Sequence, residues 1–321
     1  EAVKANKSNF TIKGNGAGNT VINAPLFDTN PVVAVSKVNV RISDLTVNGG
    51  AVGVEVSNAD GFRISDSTIS NAFLTGLKIS DTQYNLISGN NFNGNFTGIE
   101  LNNVVGAPIT NNTFNNTDTG IFVSGGHSIV IGDNTFNGVN YGVIANSSAG
   151  IKVVDNQFTG SSFSGGEGES DPSFGAGSYA VHITDGTHSV VRGNGIDNFV
   201  NGIGIESSFG NTVSANTVTN TIGDAIYLFD NLNSLVRDNI VTTVLNGINA
   251  VSNTHVDFFS NTISNALAGV VVDSGVDIEF NSNNFADNQT AVAISNTDGA
   301  TLTGDVFTGN VLGINLNNSQ D

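Results

Sequence analysis

Four side chains in the second half of the chain, His182, Glu206, Asp224 and Tyr227, are of types suited to moving protons. His182 or Tyr227 could abstract the C5 proton of a uronate while the other acts as acid. Glu206 and Asp224 could instead pair as acid and base in glycoside hydrolysis. Tyr179, Asp230 and Asn249 are candidate substrate contacts, and Gly204 is expected to leave open space, one sugar wide, between His182 and Tyr227. Upstream, Glu167, Glu169 and Asp171 lie in a Gly/Ser-rich stretch and supply oxygens that could bind calcium, a cation that takes about six to eight such ligands. No cofactor is required by this chemistry; calcium is the one the residues could use.

Bringing these residues together requires a regular scaffold, and an internal repeat supplies it. An asparagine recurs at Asn90, Asn112, Asn134 and Asn156, and again at Asn194, Asn216, Asn239, Asn261 and Asn283. A small residue before an apolar-x-apolar pattern recurs independently at Gly76, Gly98, Gly120 and Gly142, then at Ala180, Gly202, Ala225 and Gly247. Both markers step by 22 or 23 residues and share one exception, of 38 residues, around "SSFSGGEGESDPSFGAGS". A period of 22 is short for helical repeats. Apolar and polar residues alternate within each unit, as in "GIELN" and "NTFNN", which predicts short strands. Three strands and three turns fill a unit, and successive units must pair in parallel. The predicted fold is all-β, a right-handed parallel β-helix of about 13 coils, in one domain over residues 1–321 with an inserted loop at about 161–178.

In that fold the recurring asparagines form a ladder at a tight corner where the backbone turns left-handed, a conformation asparagine tolerates. Phe92, Phe114, Phe136 and Phe158 fill the neighbouring inward column, continued by Ile196, Val218, Val241, Ile263, Phe285 and Phe307. Both columns read as scaffold rather than as sugar-binding groups. The third residue of the "GIEL" pattern points outward and generates the column His182, Gly204, Tyr227, Asn249. Adjacent members lie roughly 4.8 Å apart. Glu206, Asp224 and Tyr179 face the same flank, and the insertion leads directly into the strand that carries Tyr179 and His182. Long excursions from regular scaffolds concentrate function.

Composition narrows the partners. The net charge is −18, and the ten basic residues form no cluster able to neutralise a phosphate backbone, which disfavours nucleic acid. No apolar run is long enough to insert in a membrane. The chain lacks cysteine and methionine, and 12% of its residues are charged. This composition suits a secreted or cell-surface protein. Neither end shows the cap that a solenoid needs, so flanking domains or end-to-end self-association are expected.

Units such as "NLISGNNFNGNFTGIELNN" resemble the parallel β-helix repeats of the pectate-lyase-like superfamily, including periplasmic NosD-type proteins and mannuronan C-5-epimerases. The opening "FTIKGNGAGNTVINA", followed by "VRISDLTVNGG", is similar to the lead-in of epimerase-type β-helices. The resemblance spans nearly the whole chain and implies a fold that hosts lyases, hydrolases, epimerases, tailspikes and adhesins. The epimerase Tyr-Gly-Phe-Asp-Pro-His motif does not carry over: "YGVIAN" at 141–146 lacks the Asp and His, and "YAVHIT" at 179–184 has His182 in another register without the Asp. Two readings follow. One is an extracellular structural or binding solenoid of an adhesin, cell-surface or filament protein, contacting polysaccharide or cell-surface glycan along one flank. The other is a lyase, C5-epimerase or glycosidase at the His182/Tyr227 flank. Regular coils, sparse charge and the missing motif favour the first.

Overall fold

The computed structural model describes residues 3–24, 29–161 and 177–319. Its contacts cluster into two compact units, Glu1–Gln157 and Phe158–Asp321. The fold is the predicted all-β right-handed parallel β-helix of about 13 coils, built from three parallel sheets, with no helix among the described residues. Each coil contributes in turn a strand to sheet A, one to sheet B and one to sheet C. In one coil of the first unit these are Thr75–Ser80, Leu86–Ser88 and Asn91–Asn93. The insertion, with Glu167, Glu169 and Asp171, lies outside the described residues.

Pairing is in register, so like meets like. In the first unit Leu77, Ile99, Ile121 and Val143 are successive partners in sheet A. In the second unit Ile196, Val218, Val241, Ile263, Phe285 and Phe307 form one column of sheet C, as the repeat predicts. Phe92, Phe114 and Phe136 stack with ring centroids 5.0 and 4.6 Å apart and are fully buried. The Phe114 and Phe136 rings lie close against two glycines of the sheet A strands, Gly98 and Gly120. A Cβ on Gly98 would sit 2.7 Å from the Phe114 ring and 2.6 Å from the Gly120 carbonyl oxygen.

The asparagine ladder is present in both units. Asn90 Nδ2 donates to Asn112 Oδ1 at 3.0 Å and Asn112 Nδ2 to Asn134 Oδ1 at 3.1 Å. In the second unit Asn216, Asn239 and Asn261 each donate to the next at 3.0, 2.9 and 3.0 Å, and Asn283 closes the run on Asp305 at 2.8 Å. One detail of the predicted corner is corrected. The left-handed residue is not the buried asparagine but the one before it: Asn111, Asp133, Asp155, Ala215, Asp238 and Ser260 have φ between 52° and 57°. The left-handed residue turns the chain outward into solvent. The asparagine that follows it points inward, where its amide meets the exposed ends of the strand hydrogen bonds.

Candidate functional site

The predicted flank is the outer face of sheet A in the second unit. It is formed by four strands, Tyr179–Thr184, Asn201–Glu206, Asp224–Phe229 and Asn246–Val251. His182 pairs with Gly204, Gly204 with Tyr227 and Tyr227 with Asn249, which is the predicted outward column. A second outward column runs through Thr184, Glu206, Phe229 and Val251.

These residues form two clusters. In the first, His182 Nε2 lies 2.8 Å from Glu206 Oε1, one coil away. The Tyr179 ring stacks on the imidazole, with centroids 4.5 Å apart and planes 10° from parallel. Tyr179 and His182 are only 5% and 2% exposed. The space expected over Gly204 is occupied: a Cβ there would meet Tyr179 Cε1 at 2.7 Å and His182 Cδ2 at 2.9 Å. Gly204 therefore makes room for the protein's own rings rather than for a sugar. His182 thus engages Glu206 through Nε2, which leaves Nδ1 as its second ring nitrogen. Nδ1 is buried and has no hydrogen-bond partner. Substituting Gly204→Ala should push the two rings apart and break the His182–Glu206 contact. The NMR resonances of the His182 imidazole should then change position relative to the unsubstituted protein, while those of His255 stay in place.

The second cluster is accessible. Asp224 holds both carboxylate oxygens in hydrogen bonds, from Asn246 Nδ2 at 2.8 Å and Asn249 Nδ2 at 3.0 Å. Its backbone N–H donates to Asn201 Oδ1 at 3.0 Å. Tyr227 is half-buried, and its ring lies nearly parallel to that of Phe229, 6.4 Å away. Phe229 is 37% exposed. Partial burial, then the charges of Glu206 and Asp224, hold the Tyr227 phenol above its usual pKa. At neutral pH Tyr227 is therefore a hydrogen-bond donor or an acid, not a phenolate base. Asp230 sits at the next corner with φ 52°, exposed and past the end of the strand.

The pairing of Glu206 with Asp224 as hydrolytic acid and base is not supported by this layout. They lie five positions apart along adjacent strands, so their Cα atoms are separated by about 17 Å. Glycosidase carboxyl groups work at about 5–9.5 Å. Glu206 is in addition engaged by His182. Phe229, Asn201 and Asn246 share the flanking columns of Glu206, Tyr179 and Asp224, and their residue types carry no signal of their own in the sequence. A pair on another face was also missed. Asp257 and Glu279 are register neighbours on the outer face of sheet B. Burial, then the charges of Glu279 and Asp277, raise the pKa of Asp257.

Residues 2–174 match the family described as periplasmic copper-binding protein (NosD), and residues 107–263 and 158–307 match the right-handed β-helix region family. The chain belongs to the NosD family of β-helix proteins. This is one of the families its repeats resemble. Copper proteins draw on thiolate, thioether and imidazole ligands. This NosD-family chain has no Cys, no Met and four His. His182 is engaged by Glu206, His255 lies 3.0 Å from Asp277, and His188 packs edge-on to Phe209 at 5.3 Å. Among the described residues no group of three His, Cys, Asp or Glu could hold a metal ion. The described residues do not fit a copper site.

Comparison with curated protein sequences gives no match. Among solved structures, the bacteriophage phi29 gene product 12 is similar to 98% of the NosD-family chain at 14% identity, with a TM-score of 0.77. The chain spans about half of that protein, 51% of its length. A mutant of the periplasmic alginate epimerase AlgG is similar over 97% of this chain and 79% of its own, at 13% identity and a TM-score of 0.60. A tailspike of E. coli bacteriophage HK620, solved with a hexasaccharide, is similar over 90% of this chain and 58% of its own, at 13% identity and a TM-score of 0.56. At these identities the likeness is one of fold. No helix among the described residues is long and apolar enough to cross a membrane.

Proposed function

We propose that this NosD-family chain is a glycan-binding β-solenoid of a secreted or cell-surface assembly, and that a neutral polysaccharide lies over the second cluster. One observation carries the reading: the parallel Tyr227 and Phe229 rings stand beside a carboxylate, Asp224, held in place by Asn246 and Asn249. Aromatic faces take the C–H faces of sugars, and fixed amides and carboxylates take their hydroxyls. The similarity to a tailspike solved with an oligosaccharide supports it. Charge argues for a neutral ligand. Residues 158–321 carry 17 acidic residues against two basic ones, Arg192 and Arg237. A polyuronate would meet repulsion there, as would an anionic membrane or nucleic acid.

Calorimetric titration of the full chain against neutral and acidic oligosaccharides tests this. A neutral glycan should bind, with Tyr227→Ala weakening it by about tenfold or more, the size expected for a central aromatic anchor. Binding restricted to acidic glycans, or unaffected by Tyr227→Ala, would sink the reading. The enzymatic alternative has support of its own in the His182–Glu206 pair beside a Tyr227 that keeps its proton. Mass spectrometry of the same glycans after long incubation separates the two. Cleaved or epimerised product that disappears in His182→Ala would make the protein an enzyme.

A further inference from the structure

The first unit exposes an apolar patch that its fold does not use. Phe73, Leu74 and Phe96 are 55%, 52% and 59% exposed. They stand on two consecutive coils at the corner that leads into the sheet A strands Thr75–Ser80 and Thr97–Asn102. The backbone places them side by side: Thr97 N–H donates to the Leu74 carbonyl and Phe96 N–H to that of Ala72. The patch is bounded. One coil earlier the corner is Gly50 and a buried Ala51, and the two coils after it carry Asp118 and Asn140, joined at 2.7 Å.

Beside the patch, on the outer face of the same strands, runs a row of donors and acceptors. Glu55, Lys78 and Glu100 are successive partners in register. Lys78 Nζ lies 2.9 Å from Glu100 Oε1, and Glu100 also accepts from Thr75 Oγ1 at 3.0 Å and Asn102 Nδ2 at 2.8 Å. Burial alone would raise the Glu100 pKa, but the hydrogen bonds from Lys78 and Asn102 outweigh it and hold the group charged. The ammonium of Lys78 has three N–H donors, so it retains two beyond its contact with Glu100.

We propose that this corner is a second carbohydrate site, for a neutral oligosaccharide laid along the strands. One ring stacks on Phe73, Leu74 and Phe96. The next reaches Lys78 as donor and Glu55 and Glu100 as acceptors, an arrangement that fits neighbouring hydroxyls. The compensated charge of Lys78 between two glutamates suits an uncharged ligand. A protein partner is the weaker fit: three side chains supply far less than the roughly 800 Å² per partner of a stable interface. This site is separate in sequence and in unit from that at Tyr227 and stands or falls independently of it.

The test uses the full chain carrying Tyr227→Ala, which silences the other site, titrated with neutral glucan, galactan and mannan oligosaccharides of three or more units. At least one should bind at one site per chain. Phe96→Ala added to that background should weaken it about tenfold or more, and Lys78→Met, which keeps the stem and removes the donors, should also weaken it. Phe96 is exposed and Lys78 and Tyr227 are partly exposed on outer faces of sheet A, so far-UV circular dichroism should be unchanged. The proposal is overturned if the Tyr227→Ala chain binds none of these glycans, or if binding survives both further changes. It is equally overturned if Phe96→Ala instead lowers a concentration-dependent sedimentation coefficient, which would make the occupant a second copy of the chain.

Discussion

Asn239→Ala should destabilise the second unit by about 3–5 kcal/mol, measured by urea unfolding, although the side chain belongs to neither candidate site. Asn239 Oδ1 accepts from the backbone N–H and from Nδ2 of Asn216, both at 3.0 Å. Its Nδ2 donates to the Val213 carbonyl at 3.0 Å and to Asn261 at 2.9 Å. Alanine leaves two donors and a carbonyl without partners at a position that water does not reach, since Asn239 is fully buried. Each stranded group costs about 1–3 kcal/mol. Asn239→Asp gives a sharper signature. The carboxylate keeps the acceptor role but faces the Val213 carbonyl and Asn261 Oδ1 with lone pairs. Its folded pKa must rise, so its stability should be greatest below pH about 4 and fall as the pH climbs through that raised value. A flat pH profile for Asn239→Asp would show that the ladder is not a one-way chain of donors.

Phe114→Ala should cost the first unit about 4–5 kcal/mol, the upper part of the range for a buried aromatic. The ring is fully buried between Phe92 and Phe136. It also rests against the backbone at Gly98, whose Cβ would lie 2.7 Å from it. Cavities cost least where the surroundings collapse. Here the flanking rings are held at one coil spacing by sheet C, and Phe114 itself pairs with Phe92 and Phe136. Little collapse is available, and the stacking between the rings is lost as well. Phe96→Ala, the same substitution at an exposed corner, should change stability by less than about 0.5 kcal/mol. Comparable losses for the two would contradict the inward and outward assignment of the columns.

The scaffold was legible because its residues repeat in type. Asn112 and Asn134 bond where the period places them, and His182, Gly204, Tyr227 and Asn249 fall into one column. Two further interior ladders escaped notice because their residue types vary. At the corner between sheets A and B, Ser208 N–H donates to Asn231, which donates in turn to Asn253 at 3.1 Å. At the corner between sheets C and A, Asn288 donates to Asn310 at 3.0 Å. Hydroxyls and amides both satisfy an inward N–H there, so no single letter marks the position. The site was less legible than the scaffold. A register gives the face of a side chain but not its rotamer. Tyr179 folds across Gly204 onto His182, and the slot read as open is closed by the protein itself. The accessible ring beside Tyr227 proved to be Phe229, in the adjoining column.

The in-register pairing has a further consequence for how such a chain can change. Ile226 meets Ile248, Ile248 meets Val270 and Val270 meets Val292, each in the same relation to the next. Excising one whole turn between two such partners rejoins surfaces that are already complementary. The molecule can therefore be shortened or extended in integral steps without redesigning its interior. Loss of a fraction of a turn has no such tolerance, because it would shift every later side chain off its vertical file.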